Sequence, residues 1–527
     1  MKSLPLIDLI IIAIYLLAMV FVGAYFSRKN KGSEQFTKAG GHIPGWAIGL
    51  SIYATFLSSN TFLGVPGKAF GGNWNAFVFG LSMPFAAWVA AKYFVPFYRR
   101  TGEVSAYTHL EHRFGPWART YAVTCFLLTQ FARMGSIFFG IALSIQALTG
   151  LPMATIMIVM GLCIIIYTVM GGIEAVIWTE VVQALIKTFG AILIIYLLVR
   201  EVPGGFSSII EIGRQENKFS LGSFSPDFST STFWVILLYG FFINLNNFGM
   251  DQNYVQRYHT AKSSKAASRS VWICVWLYLP ASLLFFIIGS CLFAYYNVNP
   301  ELLVAVKEQA AREKLPLHAT AVQVQQLAAT LQPSDYGDKV MPHFMVTKIP
   351  VGLVGLIVSA ILSAAMSTIS SGMNASATVF TEDIYQRYIN RRATDKQKLR
   401  ILYIGTVVFG LLGMGVGIAM IGSKSLLDMW WQLSGIFASG MLGIFLLGII
   451  SKRTGNYQAL TAAIIGLLVI IWATFSPRLT GELAAFRNPF HTNMTIVIGT
   501  LAIFLAGLIL TKSKKKIPAT VSEFQAQ

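Results

Sequence analysis

Two stretches decide how this chain folds: Ala54-Thr55-Phe56-Leu57-Ser58-Ser59-Asn60-Thr61 and Asn244-Leu245-Asn246-Asn247-Phe248-Gly249-Met250-Asp251. Both interrupt long apolar runs with amides and hydroxyls, which are costly in hydrocarbon unless they meet partners. Gly49, Gly64, Pro66 and Gly67 surround the first stretch, so unwinding there is cheap. Unwound backbone frees carbonyls for a cation, while the N-terminus of the half-helix that follows favours an anion. Amides that only join helices to one another would use the same residue types, so position has to decide between the two readings.

Working outward, the 527 residues are 55% hydrophobic and 12% charged, with a mean hydropathy of +0.62. No single water-soluble core holds that many apolar side chains. Runs of about 20 apolar residues, enough to cross a hydrocarbon layer of about 30 Å, recur from end to end. They predict thirteen spans: 6–26, 45–70, 76–98, 118–147, 153–170, 176–199, 232–256, 271–296, 350–378, 400–421, 427–450, 457–475 and 492–510. The first run is too long for a cleaved signal, and its basic flank, Arg28, Lys29 and Lys31, follows it, which predicts a retained helix. The stretch from Asn297 to Lys348 reads as a loop with some helical character.

Charge supports this count. The formal net charge is +18, but the basic residues sit in alternate short loops, as the positive-inside rule expects, and not in a nucleic-acid-binding patch. Arg99, Arg100, Arg113, Arg257, Lys262, Lys265, Arg269, Arg387, Arg391, Arg392, Lys452, Arg453 and the tail residues Lys514, Lys515 and Lys516 share one side, while loops 71–75 and 148–152 carry no Lys or Arg. The expected topology puts the N-terminus outside and the C-terminus in the cytoplasm. Cys125, Cys163, Cys274 and Cys291 all fall within spans, without disulfide or metal spacing, and read as free thiols.

The polar interruptions lie in spans two and seven, five spans apart. Each would open a five-helix unit, 45–199 and 232–450, with 6–26 before them and two helices within 457–510 after them. Broken first helices in matching positions of two halves point to an inverted-repeat carrier. Span nine adds a stripe. Ala364, Ser367, Thr368 and Ser371 stand at i, i+3, i+4 and i+7 on one helix face, with Ser370 and Asn374 beside them. Hydroxyls and free carbonyls suit a small hard monovalent cation, although close helix packing uses the same small residues.

Arg133 sits mid-span, too deep to reach either headgroup layer. A substrate carboxylate matches its guanidinium fork; a structural ion pair with Glu180 or Asp251 is the other reading. Glu180, after Gly171-Gly172, suits either an ion ligand or a carboxylate stabilising a helix N-terminus.

Five segments in order carry a family resemblance: Pro44-Gly45-Trp46-Ala47, Ala54 to Ser59, Tyr167 to Glu174 through Trp178-Thr179, Val255-Gln256-Arg257-Tyr258, and Ser367-Thr368 through Asn374 to Asp383-Ile384-Tyr385. The chain resembles the sodium:solute symporter family along essentially its whole length, and within it the bacterial sodium–sialic acid branch. That resemblance implies a LeuT-like inverted repeat, with Na+ as coupling ion. It implies a sodium site made by the carbonyls of Ala54, Leu57 and Ala364 and the hydroxyls of Ser367 and Thr368. It also implies a second site at Ser370, Ser371 and Glu180, where the longer Glu180 replaces the usual aspartate. Arg133 falls where that branch holds a substrate carboxylate, helped by hydroxyls at Ser58 and Thr61 with Asn60 beside them. Asn244 falls at a sugar-contacting asparagine of sugar-transporting relatives. Asn247 replaces their gating tyrosine. Leu81 stands in place of a substrate-contacting glutamine and Phe56 in place of a threonine.

The expected function is import of a small carboxylated sugar, sialic acid above others, by sodium symport across a bacterial cytoplasmic membrane. The alternatives are a neutral monosaccharide or another organic acid as cargo. Neither a nucleic acid nor an obligate protein partner is expected, and the spans hold no HExxH pair or Ser-His constellation of an intramembrane enzyme. One inward Na+ gains about 2.3 kcal/mol per 100 mV and about 1.4 for a tenfold gradient, while one inward anion returns about 2.3. One sodium therefore supports roughly tenfold accumulation of an acid, and two roughly several-thousandfold.

Overall fold

In the computed structural model, residues 4–27, 32–316, 319–422 and 426–512 are described. Arg28, Lys29, Lys31, Lys514, Lys515 and Lys516 of the charge pattern lie outside them. The described residues form helices joined by turns, with one isolated bridge between Ile43 and Ala261. Helices suit a bilayer because each satisfies its own backbone polar groups. Among the described residues, eleven helices are long and apolar enough to cross a membrane, or twelve if the bent pair Gly45–Phe56 and Ser59–Gly71 is one span; the pair meets at 54°.

One of the eleven, Met153–Glu201, runs for 49 residues, about 74 Å at 1.5 Å per residue and more than twice the hydrocarbon thickness. Gly172 interrupts it at φ 58° and ψ −163°, a backbone conformation essentially reserved for glycine. The boundary expected between 153–170 and 176–199 falls at this residue.

The run 232–256 is broken, as its polar stretch predicts, at the end of that stretch: Phe233–Met250 stops, Asp251 is extended, and Gln252–Thr260 begins afresh. Two other expectations change in detail. The run 350–378 continues, because Leu353–Val379 passes into a π-helical stretch over Phe380–Ile389. The loop expected at 297–349 is largely helical, as Pro300–Lys314, Ala321–Thr330 and Pro333–Lys348. Prolines at the first turn of two of these helices fit their starts.

Burial separates centre from perimeter. The best apolar windows of Leu353–Ile389 and Pro116–Thr149 are 89% and 83% buried, against 22% for Leu6–Phe26 and 39% for Asn456–Arg478. The stripe and Arg133 therefore sit on the two central helices, and the first and late helices present their apolar faces to lipid. The first helix is nevertheless fixed to the centre: the Asp8 carboxylate accepts from the backbone N–H groups of Gly352 at 2.8 Å and Gly355 at 2.7 Å. A carboxylate there satisfies donors that a helix start leaves open.

Candidate functional site

The first break is made by two extended residues, Leu57 (φ −90°, ψ 94°) and Ser58 (φ −100°, ψ 179°). The carbonyls of the last turn before it lose their helical partners. The Ser58 carbonyl starts the next helix by accepting from Thr61 and Phe62. Beside the break lies a cavity whose lining includes Phe56, Ser58, Asn60, Thr61, Arg133 and Asn247. Tyr239, Tyr278, Trp430 and Trp431 add aromatic wall. Asn60 donates to Ser136 Oγ at 2.8 Å, and its amide oxygen has no hydrogen-bond partner among the described residues.

Arg133 brings the guanidinium to this wall from the Pro116–Thr149 helix. It donates to the Thr55 carbonyl at 3.1 Å and the Tyr254 hydroxyl at 3.2 Å, and reaches Asp251 Oδ2 at 3.4 Å. The Trp430 ring lies 5.7 Å from its central carbon. Asp251 is placed by the second break, where its carboxylate caps the following helix at Asn253 N, 2.9 Å away. The two breaks therefore meet through one arginine, which keeps a face on the cavity.

The stripe on Leu353–Val379 faces the first break. Ser367 Oγ lies 3.1 Å from the Ala54 carbonyl and 3.0 Å from that of Ala364. Thr368 Oγ1 lies 3.3 Å from the carbonyls of Thr55 and Ala364. Ala54, Leu57, Ala364, Ser367 and Thr368 thus gather in one place, a set of oxygens that a small hard cation would use. A side chain from Met153–Glu201 stands among them: Lys187 Nζ donates to the Ala54 carbonyl at 2.7 Å, the Leu57 carbonyl at 2.9 Å and Ser367 Oγ at 3.0 Å.

One helical turn along the stripe, Ser371 and Ser51 both donate to Glu180, and Arg257 lies 2.8 Å from both of its carboxylate oxygens. Arg257 also donates to Ser371 Oγ at 2.6 Å. Arg257 was counted above among loop charges; it is fully buried instead, because Gln252–Thr260 packs inward after the break at Asp251. Ser370 donates to the Ser367 carbonyl at 3.3 Å and makes no hydrogen bond to Glu180. Asn244 lies away from the cavity lining, with its amide donating to Ser82 Oγ at 3.1 Å.

The sequence points to neither Lys187 nor Tyr254 at the site and leaves Arg257 in a loop; Asp251, one of the two ion-pair partners weighed for Arg133, does lie 3.4 Å from it. The depth argument that singled out Arg133 applies equally to Lys187, a cation within a run of apolar residues. The aromatic wall from Trp430 and Trp431 carried no comparable signal, since aromatics recur through most of the spans.

Paired breaks around a buried polar cavity at membrane depth define a carrier of small solutes. The model of the sodium:solute symporter family matches residues 36–466, and this chain belongs to that family. It is 33% identical to the sodium/sialic acid symporter of Proteus mirabilis (strain HI4320), over 94% of this chain and 92% of that one. It is 32% identical to the sodium/sialic acid symporter of Aliivibrio fischeri (strain ATCC 700601 / ES114), over 95% and 93%. Among solved structures it matches the substrate-bound, outward-open state of a Na+-coupled sialic acid symporter with a TM-score of 0.83 and 31% identity, covering 97% of this chain and 98% of that one. The chain is thus a multi-pass, sodium-coupled symporter of the bacterial inner membrane and not a member of an enzyme family.

Proposed function

We propose that this symporter imports a carboxylated sugar, sialic acid (N-acetylneuraminate) first among candidates, by alternating access. The observation that carries the reading is the Arg133 guanidinium on the wall of a membrane-buried cavity, because a planar fork of donors there matches a carboxylate. Ser58, Asn60, Thr61 and Asn247 supply hydroxyls and amides for the rest of a sugar acid, and Asn244 meets that wall at the carbonyl of Phe79, 3.4 Å away. The two sialic acid symporters among its relatives favour the same cargo.

The architecture is a LeuT-like inverted repeat, 45–199 and 232–450, with thirteen transmembrane helices, N-terminus out and C-terminus in. Breaks at Leu57–Ser58 and Asp251, in matching positions of the two halves, support it, as does the split of the long helix at Gly172. Ala54, Leu57, Ala364, Ser367 and Thr368 form the sodium cage; a second ion at Ser370, Ser371 and Glu180 would have to displace Arg257 from Glu180 and Ser371.

Another organic acid is the alternative cargo. Phe56, with ring centroids 4.9 Å from Tyr254 and 5.5 Å from Tyr278, makes one wall more apolar than a polyhydroxylated sugar needs. Thermal-shift titration in saturating Na+ separates these readings. N-acetylneuraminate should stabilise the purified protein, its methyl ester should bind at least tenfold more weakly, and a neutral hexose should have no effect. Equal binding of acid and ester would remove the carboxylate from the reading.

A further inference from the structure

The sodium cage holds a cation that belongs to the chain. Lys187 is fully buried, and its nitrogen has three oxygen neighbours at 2.7, 2.9 and 3.0 Å. Two are carbonyls at the C-terminal end of Gly45–Phe56, where the helix dipole is negative; the third is the Ser367 hydroxyl. The Ser367 proton has its own acceptors in the carbonyls of Ala54 and Ala364, so its oxygen is left to accept from Lys187. Three acceptors need three N–H donors, which an ammonium has and a neutral amine lacks. The nearby carboxylates are committed elsewhere, Glu180 to Arg257 and Asp251 to Arg133. What balances Lys187 is carbonyl and hydroxyl dipoles, the same groups a bound Na+ would use.

We propose that the Lys187 ammonium and Na+ are mutually exclusive occupants of this cage, with Lys187 a tethered cation that stands in for sodium at the helix break. The inference rests on the reading of Ala54, Leu57, Ala364, Ser367 and Thr368 as the cage. Two cations cannot share oxygens at contact distance, so sodium enters only where the lysine has withdrawn. The internal charge also gives the break a counter-ion when no sodium is present. Lys187 is accordingly a specificity-determining residue for the ion, setting how tightly this family member holds sodium.

The experiment measures Na+ affinity of the purified full chain by thermal shift and by 22Na+ binding, in wild type, Lys187→Ala and Lys187→Met, each with and without Ser367→Ala. Removing the lysine should tighten Na+ binding at least tenfold, and Ser367→Ala should take that gain away. Methylammonium should stabilise Lys187→Ala more than wild type, because it restores the missing cation. Unchanged or weaker Na+ binding in both lysine variants would overturn the proposal, as would a loss of fold that high Na+ does not repair. A fold that survives only in Na+ would support it. If Ser367→Ala weakens Na+ binding in wild type while the lysine variants change nothing, the cage stands and the exclusivity fails. If Ser367→Ala has no effect in any background, the cage reading itself fails.

Discussion

Arg257 and Glu180 form a fully buried ion pair, guanidinium nitrogen to both carboxylate oxygens at 2.8 Å, with side chains 1% and 0% exposed. Ser51 and Ser371 complete it, touching both partners. The pair ties the helix after the second break to the long Met153–Glu201 helix and to the stripe.

Removing one partner leaves the other charge buried alone, at a cost of about 3–5 kcal/mol. Glu180→Gln and Arg257→Met should each lower the melting temperature strongly. The double variant should be more stable than either single one, since no uncompensated charge remains. A double variant no better than the worse single one would contradict the pairing; differential scanning fluorimetry in detergent reads the outcome.

Arg133→Lys keeps charge but loses the planar fork. A charge-assisted hydrogen bond to a carboxylate is worth about 1.5–3 kcal/mol, so affinity for the acid should fall by roughly ten- to a hundredfold. The methyl ester should lose little. Calorimetric titration of both ligands against both proteins checks this; equal losses for acid and ester would place Arg133 outside substrate recognition.

Asp251 competes for the same guanidinium at 3.4 Å while capping Gln252–Thr260 through Asn253. Asp251→Asn retains a capping oxygen and removes the competing charge. Acid affinity should rise a few-fold with only a small change in melting temperature. Asp251→Ala removes the cap as well and should cost about 1 kcal/mol of stability. A fall in acid affinity for Asp251→Asn would show that the aspartate positions Arg133 instead of competing for it.

In the short helix Thr108–Phe114, burial would raise the Glu111 carboxyl, but Arg119, at 2.8 Å, and Arg387 hold it below the usual range. A depressed carboxylate contributes stability above its unfolded pKa, about 4.3, and loses it as pH falls through the lower folded value. Melting temperatures of wild type and Glu111→Gln should therefore differ at pH 7 and converge once the pH has fallen below the folded value. A difference that persists there would assign the cluster's effect to packing.

Much of the fold was legible because lipid imposes long apolar runs and turns every polar interruption into a signal. The break at Leu57–Ser58 and the stripe at Ala364 to Ser371 were readable for that reason. The exact break at Asp251 was readable only as the end of a polar stretch, since the inward turn of Gln252–Thr260 depends on tertiary packing. That turn carries Arg257 from an expected loop into a buried ion pair. Lys187 was hidden because one charge among apolar neighbours barely alters the hydropathy of a window. Its partners lie 130 and 133 residues away at Leu57 and Ala54. Asn244 and Asn247 are three residues apart, about 60° round a helix. That offset is enough for one to line the cavity and the other to meet Ser82.

The central claim is sodium-driven uptake of a sugar acid. The most direct measurement is uptake of radiolabelled N-acetylneuraminate into proteoliposomes of the purified chain, under an imposed inward Na+ gradient and an inside-negative potential. Uptake should overshoot equilibrium with Na+, fall to background when K+ replaces it, and drop sharply for Arg133→Ala. Uptake that is the same with and without Na+, or no uptake of the acid under a gradient that drives transport of a neutral sugar, would contradict the account.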